Sequence, residues 1–271
     1  MPDPPAILLG VLLPHPPIIV PAVGGRRGSG CLATTEACAG LARRVVSARP
    51  VRLVLVSPHA PRRRRGYGIG AGERLQGDLG AFGHPEVSVD LPGDPSFGAH
   101  LRAAARARKV ELWELLAEPL DHGSTVPLWF LAAAGWAGPT TLVSLPVESE
   151  PRSHAALGEA VQAAAAAAGG ECALVASGDM SHRVLPGAPA GHHPRAIEFD
   201  EEVCAAVAAG EPDRIFAVDP GLRALAAEDV VDPCAVVVAA SPAPPQGVEL
   251  LSYEHPFGVG YLVAVLHAAG A

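Results

Sequence analysis

Ala6-Ile7-Leu8-Leu9-Gly10-Val11-Leu12-Leu13-Pro14-His15-Pro16-Pro17 is an apolar run that halts at a proline and delivers a histidine. Two further stretches repeat the device. Val51-Arg52-Leu53-Val54-Leu55-Val56 leads to Ser57-Pro58-His59-Ala60-Pro61, and Cys172-Ala173-Leu174-Val175-Ala176 leads to Ser177-Gly178-Asp179-Met180-Ser181-His182. Continuous β-branched and leucine runs of this length read as strands covered on both faces, the hallmark of a parallel sheet in an α/β protein. Ligands of such sheets bind outside the carboxyl ends of the strands. Three imidazoles at three strand ends are therefore expected to converge on one crevice, although they lie far apart in the chain.

The segments between and after these runs carry helical patterns at 34–48, 96–108, 126–134, 153–168 and 195–209, with shorter ones at 222–228 and 233–240. Caps and terminal glycines support several of them, among them Ser96 at the start of the second and Gly169-Gly170 after the fourth. Further strands are expected at 87–91, 141–146, 248–253 and 260–266. The segment 62–84 is rich in Gly and Arg without a period and reads as a long loop or hairpin near the mouth of the site; 185–193 reads likewise as a loop. No repeat or linker divides the chain. The alternation predicts one α/β domain over residues 1–271, with a central, mostly parallel or mixed sheet flanked by helices.

Composition narrows the functional classes. At 271 residues with 49% hydrophobic and 18% charged residues, a large core is available and extended disorder is excluded. A net charge of −8 argues against nucleic acid as the main partner. The basic block Arg62-Arg63-Arg64-Arg65 reads as a solvated loop that could steer anionic substrates. Five cysteines, without a CxxC pair, point to free thiols in a reducing cytoplasm. The first apolar run is too short and too proline-broken for a signal peptide or a membrane span, so a cytoplasmic protein with no membrane partner is expected.

The chemistry rests on histidines. His15 and His59 are each flanked by prolines, which restrict the backbone and aim the ring. A histidine at a strand end often does no more than cap a carbonyl, but two with the same setting point to a metal. Two neutral imidazoles need an anionic ligand to hold an iron-type divalent ion with open positions. Asp121, Asp179, Glu148, Glu228, Asp229 and Asp232 are the candidates, and composition does not choose among them. His122 opens a buried helical stretch beside Gly123, and His182 follows the third strand. An imidazole near a metal but not on it suits proton transfer. There is no GxSxG elbow, no GxGxxG after a strand, no phosphate-binding loop and no HExxH.

Taken in order, Leu13-Pro14-His15-Pro16-Pro17, Ser57-Pro58-His59-Ala60, Leu120-Asp121-His122-Gly123 with Val126-Pro127-Leu128, and Ser177-Gly178-Asp179-Met180-Ser181-His182-Arg183 resemble the catalytic chains of the class III extradiol ring-cleavage dioxygenases, the LigB-like superfamily. Leu251-Ser252-Tyr253-Glu254-His255-Pro256-Phe257-Gly258-Val259-Gly260-Tyr261 is similar to the branch of that superfamily next to the Memo proteins. The resemblance spans nearly the whole chain. It implies a LigB/Memo-like fold and Fe(II) held by His15, His59 and a glutamate after an alanine-rich helix, here Glu228 in Ala226-Ala227-Glu228-Asp229-Val230. The residues after Glu228 depart from the family pattern. By the same resemblance His182 is the acid/base and His122 a histidine facing substrate and oxygen. The implied reaction is O₂-dependent extradiol cleavage of a catechol- or aminophenol-like ring by a homo-oligomer, with a small partner subunit in some relatives. A Memo-like metal or redox protein without ring cleavage, and a metal-dependent hydrolase, are the alternatives.

Overall fold

All three quoted runs are strands. In the computed structural model, which describes residues 6–116, 118–148 and 151–270, they form β1 (Ile7–Leu13), β2 (Arg52–Ser57) and β8 (Cys172–Ser177). Between and after them lie β3 (Tyr67–Gly70), β4 (Arg74–Leu79), β5 (His84–Pro92), β6 (Leu112–Glu114), β7 (Thr140–Ser144), β9 (Glu249–Glu254) and β10 (Tyr261–Ala268). Eight of these make one sheet in the order β6-β3-β7-β2-β8-β1-β10-β9. Its centre is parallel, whereas β3 on β7, β10 on β1 and β9 on β10 are antiparallel, so the sheet is mixed.

The position of β8 decides where the site forms. It lies between β1 and β2 and runs parallel to both, with Leu13 opposite Ser177 and Val56 opposite Ala176. The three carboxyl ends therefore emerge side by side on one edge.

Side chains of the central strands alternate between two apolar layers, as the period of two requires. Leu53 and Leu55 face one layer, while Val54 and Val56 face the other. Helices α1 (Pro21–Gly24), α2 (Leu32–Ser47), α3 (Pro95–Ala107), α4 (His122–Ala133), α5 (Pro151–Ala168), α6 (Ala196–Ala208), α7 (Pro220–Ala226) and α8 (Val231–Ala240) lie between the strands in sequence. Buried residues of α2 and α4 share the first layer, and those of α3, α5, α6, α7 and α8 share the second. No helix among the described residues is long and apolar enough to cross a membrane.

Two expectations change in detail. Segment 62–84 is not one excursion: β3 enters the main sheet, and β4 pairs with β5 in a separate two-stranded ribbon. The strand expected at 87–91 thus belongs to that ribbon. Its alternating burial, with Val87, Val89 and Leu91 inward against α4's layer, explains why it read as a strand but not where it would pair. The ribbon's turn, Gly80–Phe82, carries an exposed phenyl ring to the mouth of the crevice described next.

Candidate metal centre

His15 stands two residues beyond β1, His59 two beyond β2, and His122 is the first residue of α4. Asp121 caps that helix: its carboxylate accepts the Ser124 N–H at 3.0 Å, holding the first turn and the imidazole on it. The rings converge, with centroids 4.7 Å apart for His15 and His59, 4.5 Å for His59 and His122, and 5.5 Å for His15 and His122. One ring nitrogen from each lies within 4.8 Å of the others. Glycine at 123 permits this approach, because a Cβ there would stand 2.9 Å from the His59 Cβ.

Two carboxylates close the cluster. Asp179, just past β8, is buried and accepts the backbone N–H of His15 at 3.0 Å. Asp229 lies in the turn between α7 and α8; its Oδ2 is 3.1 Å from His59 Nε2 and 3.6 Å from His15 Nε2. Its other oxygen accepts the Asp179 N–H at 2.7 Å, and its own N–H donates to the Asp179 carbonyl at 3.2 Å. This docking of the turn onto the end of β8 requires Gly178, where a Cβ would meet Val230 Cα at 2.6 Å.

Of the two carboxylates in this turn it is Asp229, and not the expected Glu228, that lies against the histidines. Glu228 turns the other way: one oxygen accepts from Arg223 Nε at 2.7 Å and the other from the Val231 N–H at 2.9 Å. Arg223 also donates to Asp232 at 2.8 Å. Glu228 anchors the turn that presents its neighbour. Glu148 pairs with Arg64 at the surface.

The electrostatics mark a place for positive charge. Burial would lower the proton affinity of His15, but Asp179 and Asp229 outweigh it and push its pKa up to about 9. Burial would raise Asp229, yet His15 and His59 hold its carboxyl well below the usual carboxylate range. Asp179 is pushed up by burial, against the pull of His15. His122 goes the opposite way: burial, then the charges of His15 and His59, lower it to about 4, so it is a neutral imidazole at physiological pH.

The donor set fits a divalent ion. Ligand atoms about 2.1 Å from a shared metal stand about 3 Å apart when at right angles. Asp229 Oδ2 lies 3.1 and 3.6 Å from the two Nε2 atoms. His15 Nε2 is also 3.7 Å from Asp179 Oδ2, so it faces two carboxylates and is within hydrogen-bond reach of neither side chain. Neutral imidazoles with a carboxylate suit iron, zinc or a related ion.

His182 adjoins the cluster without joining it. Its backbone N–H is held by the Ala226 carbonyl at 2.9 Å, and its Nδ1 is buried with no hydrogen-bond partner among the described residues. The Phe82 ring lies 5.4 Å from that of His122 and is 46% exposed. Phe82 and Ser177 were not foreseen as site residues: an aromatic in a Gly-rich segment and a serine at a strand end give no such signal alone.

The sequence profile of the family described as the catalytic LigB subunit of aromatic ring-opening dioxygenase matches residues 9–264. The chain is similar to Protein CA_C1420 of Clostridium acetobutylicum, at 27% identity over 266 residues, which is 95% of this chain and 57% of that protein. It thus spans little more than half the length of that curated relative. Among solved structures, the crystal structure of the uncharacterized protein JW3007 from Escherichia coli K12 matches with a TM-score of 0.66 at 19% identity, covering 96% of this chain and 99% of that one. That likeness concerns the fold alone.

Proposed function

The chain belongs to the LigB family of aromatic ring-opening dioxygenases, and from that premise we propose that it is a non-haem Fe(II) enzyme cleaving a catechol- or aminophenol-like ring with O₂. The observation that supports the reading is the approach of Asp229 to His15 and His59, a carboxylate oxygen 3.6 and 3.1 Å from the two imidazole nitrogens. A ferrous ion bound there would supply Lewis acidity toward a bound hydroxyl and open positions for substrate and O₂.

The chain's own residues supply the rest. Asp229 and Asp179 concentrate negative charge at the His15 ring, which favours the binding of a divalent ion. His122, kept neutral, has one N–H to donate toward a reacting group on the open side; preorganised donors of this kind are worth about 3–4 kcal/mol to a transition state. His182 takes the proton of a substrate hydroxyl and returns it when the ring opens. The Phe82 ring, exposed beside His122, offers an apolar wall for a planar substrate.

A second reading is favoured by the third imidazole. If His122 coordinates alongside His15 and His59, the centre is a three-histidine site of the kind that activates water on zinc, and the protein is a hydrolase or a Memo-like metal protein. Metal analysis of anaerobically purified protein, followed by an oxygen-electrode screen of catechols and aminophenols, separates the readings. Iron-dependent O₂ uptake with ring-opened product supports the dioxygenase. Zinc dependence, with ester hydrolysis or no turnover, replaces it.

A further inference from the structure

Ser177, the last residue of β8, is buried between two polar groups. Its Oγ stands 2.5 Å from the Gly123 carbonyl oxygen and 2.9 Å from His15 Nδ1. Two oxygens this close require a hydrogen between them, and a carbonyl has none to give. The serine's single hydroxyl hydrogen is therefore committed to Gly123. Toward His15 the hydroxyl has only lone pairs, so Nδ1 must carry the hydrogen in that contact.

The sequence explains why the Gly123 carbonyl needs this partner. In an α-helix the carbonyl of residue i accepts the N–H of residue i+4. For Gly123 that residue is Pro127, which lies inside α4 and has no N–H. Proline thus removes the ordinary helical donor from one buried carbonyl, and the strand-end hydroxyl supplies a replacement. Donation runs from His15 Nδ1 through Ser177 Oγ to the Gly123 carbonyl.

We infer that Ser177 is a positioning residue: with its own hydrogen held by Gly123, it fixes His15 in the Nδ1–H tautomer and turns the Nε2 lone pair toward Asp229 and the other two histidines. A ligating histidine needs its second nitrogen held in this manner, and loss of such outer partners typically weakens metal binding by roughly 10–100-fold. The same hydroxyl joins the ends of β1 and β8 to the first turn of α4, the turn that carries His122. One hydrogen-bonded link therefore sets the relative placement of two imidazoles. The inference rests on the metal reading given above, but its central statement concerns only where one proton sits on one ring.

The test reads that proton directly. Zinc(II)-loaded protein labelled with ¹⁵N-histidine, with His15 assigned by the signals lost in His15→Gln, is expected to give a slowly exchanging Nδ1–H and a metal-shifted Nε2. Ser177→Ala is expected to bind zinc roughly 10–100-fold more weakly in competition with a chelator, with the Nδ1–H lost to rapid exchange and Ser177→Thr restoring both. A wild-type spectrum with the proton on Nε2 overturns the inference, even if Ser177→Ala does not fold. So does a folded Ser177→Ala protein with unchanged zinc affinity and an unchanged Nδ1–H. Failure of wild-type protein to bind zinc, cobalt or iron overturns the metal reading instead. The positioning role falls with it, whereas metal-loaded wild-type protein with the proton on Nε2 ends the tautomer assignment alone.

Discussion

Asp229 Oδ2 lies 3.1 Å from His59 Nε2 across 170 residues of chain, while the adjacent Glu228 faces Arg223. Adjacent carboxylates in one turn thus face different partners. Asp229→Asn is expected to weaken metal binding by more than the roughly 10–100-fold that outer partners of a ligand contribute. Glu228→Gln is expected to retain stoichiometric metal and to lose stability by about 1–3 kcal/mol, the worth of hydrogen bonds to a charged group. Metal content and denaturant midpoints of the two variants check this; the reverse pattern would restore Glu228 as the ligand.

His182→Phe keeps the metal centre and removes the group assigned to proton transfer. The expected result is wild-type metal content with kcat lower by about 10²–10⁴-fold. Wild-type turnover in an iron-replete variant would remove His182 from the reaction.

Phe82→Ala tests the aromatic wall. The loss of one ring contact, about 0.5–1.5 kcal/mol, predicts a rise in KM of roughly 2–10-fold for aromatic substrates, with kcat and metal content little changed. An unchanged KM would mean that the substrate lies elsewhere in the crevice.

Asp200, fully buried on α6, gives a pH signature of its own. Its carboxylate accepts the Tyr253 hydroxyl at 2.6 Å and the Ser181 N–H at 2.8 Å, yet burial outweighs both and raises its pKa to about 7. Because the folded state then binds more protons than the unfolded chain, stability falls as pH rises from about 4 to 7 and this contribution levels off above that. Asp200→Asn has no such titration. Its stability relative to wild type should therefore grow by a few kcal/mol, in order of magnitude, across that window. Parallel thermal melts from pH 4 to 8 measure it, and a difference independent of pH would contradict the account.

Much of this was written in the chain itself. Uninterrupted apolar runs specify strands buried on two faces, and the helical patterns between them specify the layers on either side. His15 and His59 were legible because prolines next to them leave the backbone few directions to take. The strand β3 was not legible, since four residues of Tyr-Gly-Ile-Gly carry no period, and only the gap between β6 and β7 makes them a strand.

The choice between Glu228 and Asp229 belongs wholly to the tertiary structure. Neighbouring side chains in a turn diverge, and which one faces the centre depends on the left-handed Ala227 before them (φ 55°) and on the clearance that Gly178 leaves from another strand. Ser177 is a further case: its hydroxyl gains a direction only once Pro127, on a different element, has left the Gly123 carbonyl without a helical donor. Local sequence determined the elements and aimed the first two imidazoles, because strand burial and proline act within a few residues. Which carboxylate and which hydroxyl lie against the histidines was decided by contacts between distant segments, because hydrogen-bond direction exists only after both partners are in place.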